Sequence, residues 1–241
     1  LETLIPEIIS NIPSSIINYE ILIIDDNSSD NTYQIVDQLN SQNKRINIFE
    51  RNAEASLPMS IYDGISLSKY EYVMWLDADG SMPPETVGKL LEKSATDRET
   101  VFIGSRFSNG GGYKGVEKEN QNLVQVVKNV YSSEDSVLAV FLSKIFNTFL
   151  YKLINAGVKD VTSGFIVGKK KYFSKKIFSN ASYGDYFIYL IKDLKKNNIK
   201  MKELGYICLT RQFGVSKSGT SPMQLLKRAF PYFKASLFDI K

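Results

Sequence analysis

The apolar positions of this chain fall into short dense runs that alternate with stretches of helical spacing. In "LETLIPEIISNI" the aliphatic residues recur at helical intervals. "YEILIIDDNSSDNT" then gives an apolar run, Glu20 to Ile24, that ends in carboxylates and turn formers. The spacing predicts a helix from about Thr32 to Ser41, a short strand in "INIFER", a helix in "PMSIYDGISLS" and a second buried strand in "YEYVMWL". "PPETVGKLLEKS" reads as a helix with prolines at its mouth, where a missing N–H costs little, and "TVFIGSRF" reads as a third buried strand. Strands apolar on both faces and separated by helices predict an α/β fold, with a mostly parallel central sheet covered by helices on both faces.

From Ser108 to about Asp135 the pattern breaks down, and "SNGGGYKGVEKENQNL", rich in glycine and charge, is expected to be a mobile loop. "SVLAVFLSKIFNTFLYKLINAG" returns as a long apolar helix with a glycine stop, followed by a helix around "DYFIYLIKDLKKNN" and a last strand in "KMKELGYICLTRQF". The final stretch, "SPMQLLKRAFPYFKASLFDIK", is an amphipathic C-terminal segment. Leu225, Leu226, Phe230, Phe233 and Leu237 recur near helical spacing, and Lys227, Arg228 and Lys234 supply charge. Pro231 argues against one uninterrupted helix. These shifts divide the chain into a domain over 1–219 and a tail over 220–241, which either lies against a bilayer or packs on its own domain. No apolar run has the length of a spanning helix, and the start of the sequence does not read as a signal peptide. Leu1 falls inside what reads as a helix, so the expectation is a trimmed N-terminus with an earlier strand missing.

Composition narrows the chemistry. The 241 residues suffice for one sizeable domain. With 30 Lys and Arg against 26 Asp and Glu, the excess is too mild to indicate nucleic acid but suits an anionic ligand or a membrane surface. The one cysteine, Cys208, cannot form an intrachain disulfide and fits a reducing compartment. The chain has no histidine, which excludes a Ser-His-Asp triad, a Cys-His pair and every histidine metal site. A metal here would need oxygen ligands.

In sheets of this kind ligands bind outside the carboxyl ends of the strands. Three strand ends are chemically loaded: Asp25 with Asp26, Asp77 with Asp79, and Ser105 with Arg106. Asp77 and Asp79 can both approach one hard cation if the strand bends, and Mg²⁺ or Mn²⁺ suits carboxylate oxygens shared with water and phosphate. Taken alone, the same residues also serve as turn and helix caps or surface ion pairs.

Five blocks in fixed order, "ILIIDDNSSDNT", "YVMWLDADGSMPPE", "IGSRF", "KDVTSGF" and "KELGYICLTRQFGVSKSG", resemble family 2 glycosyltransferases, in particular the polyprenyl-phosphate sugar transferases of the dolichol-phosphate mannose synthase group. The resemblance runs from the start to about Gly219. It implies a GT-A, Rossmann-like fold, a GDP- or UDP-sugar donor, a divalent cation and inversion at the sugar carbon. On it, Asp25 and Asp26 match the strand-end pair, one of which touches base or ribose, and Asp77 and Asp79 match the D-x-D, with Asp79 the firmer metal ligand. Arg106, Arg211 and Lys217 match cations that face phosphates, beside Ser105, while Asp160 either shapes the acceptor side or caps a turn. Asp79, Arg211 and Lys217 are the residues expected to carry catalysis.

The sequence also departs from the family pattern. The P-x-Y-N-E strand is absent, Ser81 stands where a third metal ligand often sits, and Pro58 stands where glycine is common. No arginine precedes "LSKIFN", which leaves Lys144 as a substitute near the acceptor. The implied acceptor is a polyprenyl phosphate, dolichyl or undecaprenyl, used by an enzyme peripheral to the cytoplasmic face of the membrane. Two rivals stand beside this reading: a sugar-hydroxyl acceptor with Asp160 or Asp185 as base, and a silent binding domain that keeps the fold.

Overall fold

A computed structural model describes residues 1–112, 137–209 and 222–239 of the chain. Strands β1 (Ile21–Asp25) and β2 (Ile46–Glu50) pair in parallel, Ile21 opposite Ile46 through Asp25 opposite Glu50, with α2 (Thr32–Gln42) as the crossover. A second group contains β3 (Tyr72–Trp75), β4 (Val101–Ser105), β5 (Ile166–Lys169) and β6 (Met201–Gly205) in the order β3-β5-β4-β6. β4 and β6 are parallel, whereas β5 runs antiparallel to both β3 and β4. β5 falls in "VTSGFIVGKKKYF", to which the periodicity assigns no element. Its position is set by its partners: Gly104 on β4 donates its N–H to Phe165 O at 2.9 Å, and a Cβ on Gly104 would lie 2.7 Å from the Phe165 ring.

The helices are α1 (Leu4–Asn11), α3 (Leu57–Leu67), α4 (Pro84–Thr96), α5 (Val137–Ile154), α6 (Lys175–Ser179), α7 (Tyr186–Lys196) and α8 (Pro222–Leu237). Strand alternation distributes the core to both faces of the sheet. Val101, Ile103 and Ile166 join Phe178, Phe187 and Leu190 on one face, while Phe102 and Val167 join Leu90 and Phe165 on the other. This is the expected α/β architecture of GT-A type. The short strand lengths follow from chemistry, since each apolar run stops where aspartate, glycine or serine turns the chain.

α8 packs on the domain. Ala235 is fully buried, and Lys192 of α7 donates to the carbonyls of Ala235, Ser236 and Phe238 at 3.1, 3.3 and 2.8 Å, neutralising the carbonyl end of the helix. The helix continues through Pro231 where the sequence predicts an interruption, with Tyr232 and Ala235 seated in the core beyond it. Phe230, Phe233, Leu237 and Phe238 are exposed, as are Ile145, Phe149 and Leu153 of α5, and the Phe149 ring stacks on that of Phe233 with centroids 6.3 Å apart. Among the described residues no helix is long and apolar enough to cross a membrane.

Candidate active site

The carboxyl ends of β1, β3 and β4 carry the acidic and basic residues singled out in the sequence, each fixed in a different way. Asp25 closes β1 nearly buried, and its Oδ2 accepts from Ser28 N–H at 3.1 Å, a turn that starts the loop into α2. Asp26, one residue on, points to the other side of the strand end. It forms an ion pair with Arg51 and accepts from Ser56 N–H at 2.7 Å, at the start of α3. Arg51 also holds Asp63 of α3 through Nε at 2.8 Å and is almost wholly buried. Burial opposes its charge, but hydrogen bonds to Asp63 and Asp26 outweigh that and push its pKa up, so the guanidinium is a fixed charge beneath the strand end. Arg51 is invisible to periodicity, because "ER" at the end of a short strand reads as an ordinary surface pair. Pro58 occupies the first turn of α3, where Ser56 Oγ accepts from Met59 N–H at 3.4 Å and no donor is lost to the proline.

Beyond β3 the chain turns sharply. Asp77 N–H donates to Met82 Sδ at 3.4 Å, Asp79 Oδ1 accepts from Ser81 N–H at 2.9 Å, and Gly80 takes φ +75°, a conformation glycine adopts without strain. Ser81 is buried, and its carbonyl accepts from Leu209 N–H at 3.0 Å, which ties the turn to the segment after β6. The loop therefore holds Asp79 through the Ser81 amide, and a carboxylate has lone pairs for more than one partner. Among the described residues no group of three acidic, cysteine or histidine side chains gathers as a metal cluster. The two carboxylates nevertheless suit Mg²⁺ or Mn²⁺, which take few protein oxygens and fill the remaining shell with water and phosphate.

At the end of β4, Ser105 is fully buried and its Oγ accepts from Phe107 and Ser108 N–H at 3.2 and 3.0 Å, so its oxygen shapes the following loop. Arg106 clasps Asp160 through Nε at 2.8 Å and Nη2 at 2.7 Å, and its own N–H donates to the same carboxylate at 2.9 Å. Nη2 also donates to Thr162 O and Oγ1, both at 3.0 Å. Asp160 is fully buried, and the backbone around it is held by Glu203 and Asn147: Asp160 N–H donates to Glu203 Oε1 at 3.0 Å and Val161 N–H to Asn147 Oδ1 at 3.1 Å. The sequence singles out both Arg106 and Asp160; the structure brings them together as a pair. Asp185 is nearly buried and accepts from Ser182 and Tyr183 N–H, at 3.1 and 2.6 Å, before α7 begins. Arg211 and Lys217 lie outside the described residues, as does most of the glycine-rich loop. Lys144 sits exposed on α5.

Three phenols near the acidic turn carry no obvious signal in the sequence. Trp75 Nε1 donates to Tyr186 Oη at 3.2 Å. Burial, reinforced by the charge of Asp77, pushes the Tyr186 phenol well up. Burial does the same to Tyr206, and to Tyr232 of α8 with added repulsion from Tyr183 and Asp185. All three stay neutral at physiological pH.

Comparison with known proteins shows the family. The profile described as Glycosyl transferase family 2 matches residues 2–177. The dolichol-phosphate mannosyltransferase of Saccharomyces cerevisiae is 36% identical over 93 residues, covering 39% of this chain and 34% of that protein. The dolichol-phosphate mannosyltransferase of Pyrococcus furiosus is 32% identical over 109 residues, covering 44% and 30%. The match thus spans about a third of the length of these two relatives. The polyprenol monophosphomannose synthase of Mycolicibacterium smegmatis is 24% identical over 223 residues, covering 90% of this chain and 77% of that protein. Among solved structures, glucosyl-3-phosphoglycerate synthase from Mycobacterium tuberculosis, in complex with Mn²⁺ and UDP-glucose, superposes with a TM-score of 0.58 at 12% identity, covering 98% of this chain and 73% of that one.

Proposed function

Because the chain belongs to glycosyltransferase family 2, we propose that it moves a hexose from a GDP- or UDP-linked donor to a polyprenyl phosphate, with inversion at the anomeric carbon. The observation that carries this reading is the pair Asp77 and Asp79 on the turn after β3, with Asp26 held at the end of β1. Asp26, immobilised by Arg51 and the Ser56 amide, is a rigid acceptor for a ribose or base donor. Asp77 and Asp79 hold the divalent cation. When bound, Mg²⁺ or Mn²⁺ offsets the charge that develops on the departing diphosphate. Arg211 and Lys217 take phosphate contacts, and any such contact by Arg106 is additional to its clasp on Asp160.

Two features support a phosphate acceptor over a sugar hydroxyl. A phosphate is already ionised at neutral pH and needs no strong base, whereas a hydroxyl does. Both carboxylates that would serve as that base are otherwise engaged: Asp160 by the Arg106 fork, and Asp185 by two backbone N–H groups. In the same reading residues 1–219 are the catalytic unit. The outward-facing Phe230, Phe233 and Phe238, with Lys234 among them, meet the cytoplasmic face of the bilayer where such an acceptor resides. The test is nucleotide release from GDP-mannose and from UDP-glucose in Mn²⁺, with a polyprenyl phosphate or a free oligosaccharide as acceptor. Release stimulated by the lipid phosphate is expected. Stimulation by oligosaccharide alone would move the acceptor to a hydroxyl, and no release with any pair would leave a silent fold.

A further inference from the structure

Tyr206, the residue after β6, is held rigidly at the carboxyl edge of the sheet. Its N–H donates to Ser105 O and its carbonyl accepts from Gly112 N–H, both at 3.0 Å, so its backbone is tied to the end of β4 and to the bridge between Gly112 and Ile207. Its ring meets Phe165 edge-on with centroids 5.5 Å apart, and Phe165 in turn rests on Gly104, where a Cβ would lie 2.7 Å from the ring. The residue is only 4% exposed, yet among the described residues nothing bonds to its Oη. A phenol buried to this depth ordinarily finds a partner. The described residues do not seal the oxygen off, so a partner from outside can reach it. The other two phenols differ: Tyr186 Oη already accepts from Trp75 Nε1, and the ionisable groups foremost around Tyr232 are Tyr183 and Asp185 rather than the strand ends.

The surroundings determine what suits that oxygen. Besides the Cys208 thiol, the groups whose charge bears on the Tyr206 phenol are Arg106 at the end of β4, Asp160, and Asp77 beyond β3. Arg106 and Asp160 clasp each other, and Asp77 serves the cation in the donor reading above. The middle of this edge therefore offers a neutral hydroxyl that both donates and accepts. A phosphate pairs better with charge, and a polyprenyl chain would leave the hydroxyl unpaired. A sugar hydroxyl matches it. The strand order fits the same assignment: β1 and β3 line one space, and β5, β4 and β6 follow β3 on its other side. A nucleotide sugar with its ribose at Asp26 and its diphosphate at Asp77 and Asp79 carries its hexose onward to the ends of β4 and β6. Resting on that donor reading, we propose that Tyr206 is a specificity-determining residue whose Oη hydrogen-bonds one hydroxyl of the transferred hexose. The Phe165 contact fixes the oxygen before the donor arrives. A hexose without that hydroxyl would leave the phenol unpaired, which is how a site of this kind rejects the wrong substrate.

Calorimetric titration in Mn²⁺ tests this with GDP, GDP-mannose, UDP and UDP-glucose, on the parent chain and on Tyr206→Phe, which keeps the ring on Phe165. For the base that binds, the variant is expected to hold the nucleoside diphosphate within about twofold of the parent and the nucleotide sugar about tenfold more weakly, the effect of one hydrogen bond. Monodeoxy forms of that nucleotide sugar then locate the contact. For one of them parent and variant should bind alike, because the hydroxyl that Tyr206 meets is already gone. A purely structural role for Tyr206 would not single out one sugar position. Equal losses for diphosphate and nucleotide sugar, no loss for either, or a tenfold loss that persists with every monodeoxy form would overturn the proposal while leaving the donor site standing. Failure of the parent to bind any of these nucleotides in Mn²⁺ would instead remove the donor reading, and the proposal with it.

Discussion

Arg106 illustrates how a residue's type foretells less than its partners do. A guanidinium at the end of a strand in "GSRF" suits a phosphate, yet here its Nε and Nη2 form a two-point clasp on Asp160, which is fully buried. Such a pair contributes chiefly by being complete, because removing one partner strands a charge in the interior. Arg106→Ala should therefore lower stability by about 3–5 kcal/mol in denaturant unfolding. The paired change Arg106→Leu with Asp160→Leu should cost clearly less than Arg106→Ala alone. An Arg106→Ala protein as stable as the parent would show that Asp160 is not held by this clasp. Arg51 follows the same logic at β1, where it bridges Asp26 and Asp63.

The packing of α8 on α5 and α7 can be tested at one glycine. A Cβ on Gly184 would lie 2.1 Å from Tyr232 Oη, so α8 is seated where only a glycine leaves room. Gly184→Ala should destabilise by about 1–3 kcal/mol, and Tyr232→Phe, which removes the clashing oxygen, should recover most of it. Additive losses in that double-mutant cycle would contradict the contact. The outer face of α8 calls for a separate experiment, because deleting the helix would also take Ala235 out of the core. Replacing the exposed Phe230, Phe233 and Phe238 with serine should leave folding intact and reduce co-sedimentation with anionic vesicles; unchanged sedimentation would remove this face from the membrane reading. Elements with strong periodicity were legible in the sequence: β1, α2, α4 and β4 lie within one or two residues of where the spacing puts them. β5 was not, because its antiparallel insertion depends on the Phe165 and Gly104 contact, which is distant in sequence. The acidic turn at Asp77 and Asp79 was legible as a motif, whereas the pairings of Asp26 with Arg51 and of Arg106 with Asp160 needed the fold.

For the whole molecule, the absence of histidine sets the pH behaviour. Lys202 lowers the Asp97 carboxyl below its ordinary 3.8, and Lys169 with Tyr172 lowers Glu99 below 4.5. Groups depressed in the folded state lend stability that is complete above their unfolded values and is lost as pH falls through the folded ones. Urea midpoints should therefore be flat from about pH 8 to pH 5 and decline below about pH 4. A marked step between pH 6 and 7 would contradict this. The central claim is that the turn after β3 binds a divalent cation together with a nucleoside diphosphate. Mn²⁺ binding followed by electron paramagnetic resonance, with GDP or UDP present, addresses it directly. Asp79→Asn keeps an oxygen for the Ser81 amide and so preserves the turn, but loses the charge. The predicted result is nucleotide-dependent Mn²⁺ binding by the parent chain that weakens more than about a hundredfold in Asp79→Asn, since even outer-shell partners of metal ligands cost about 10- to 100-fold. Equal Mn²⁺ affinity in the two proteins would contradict the account.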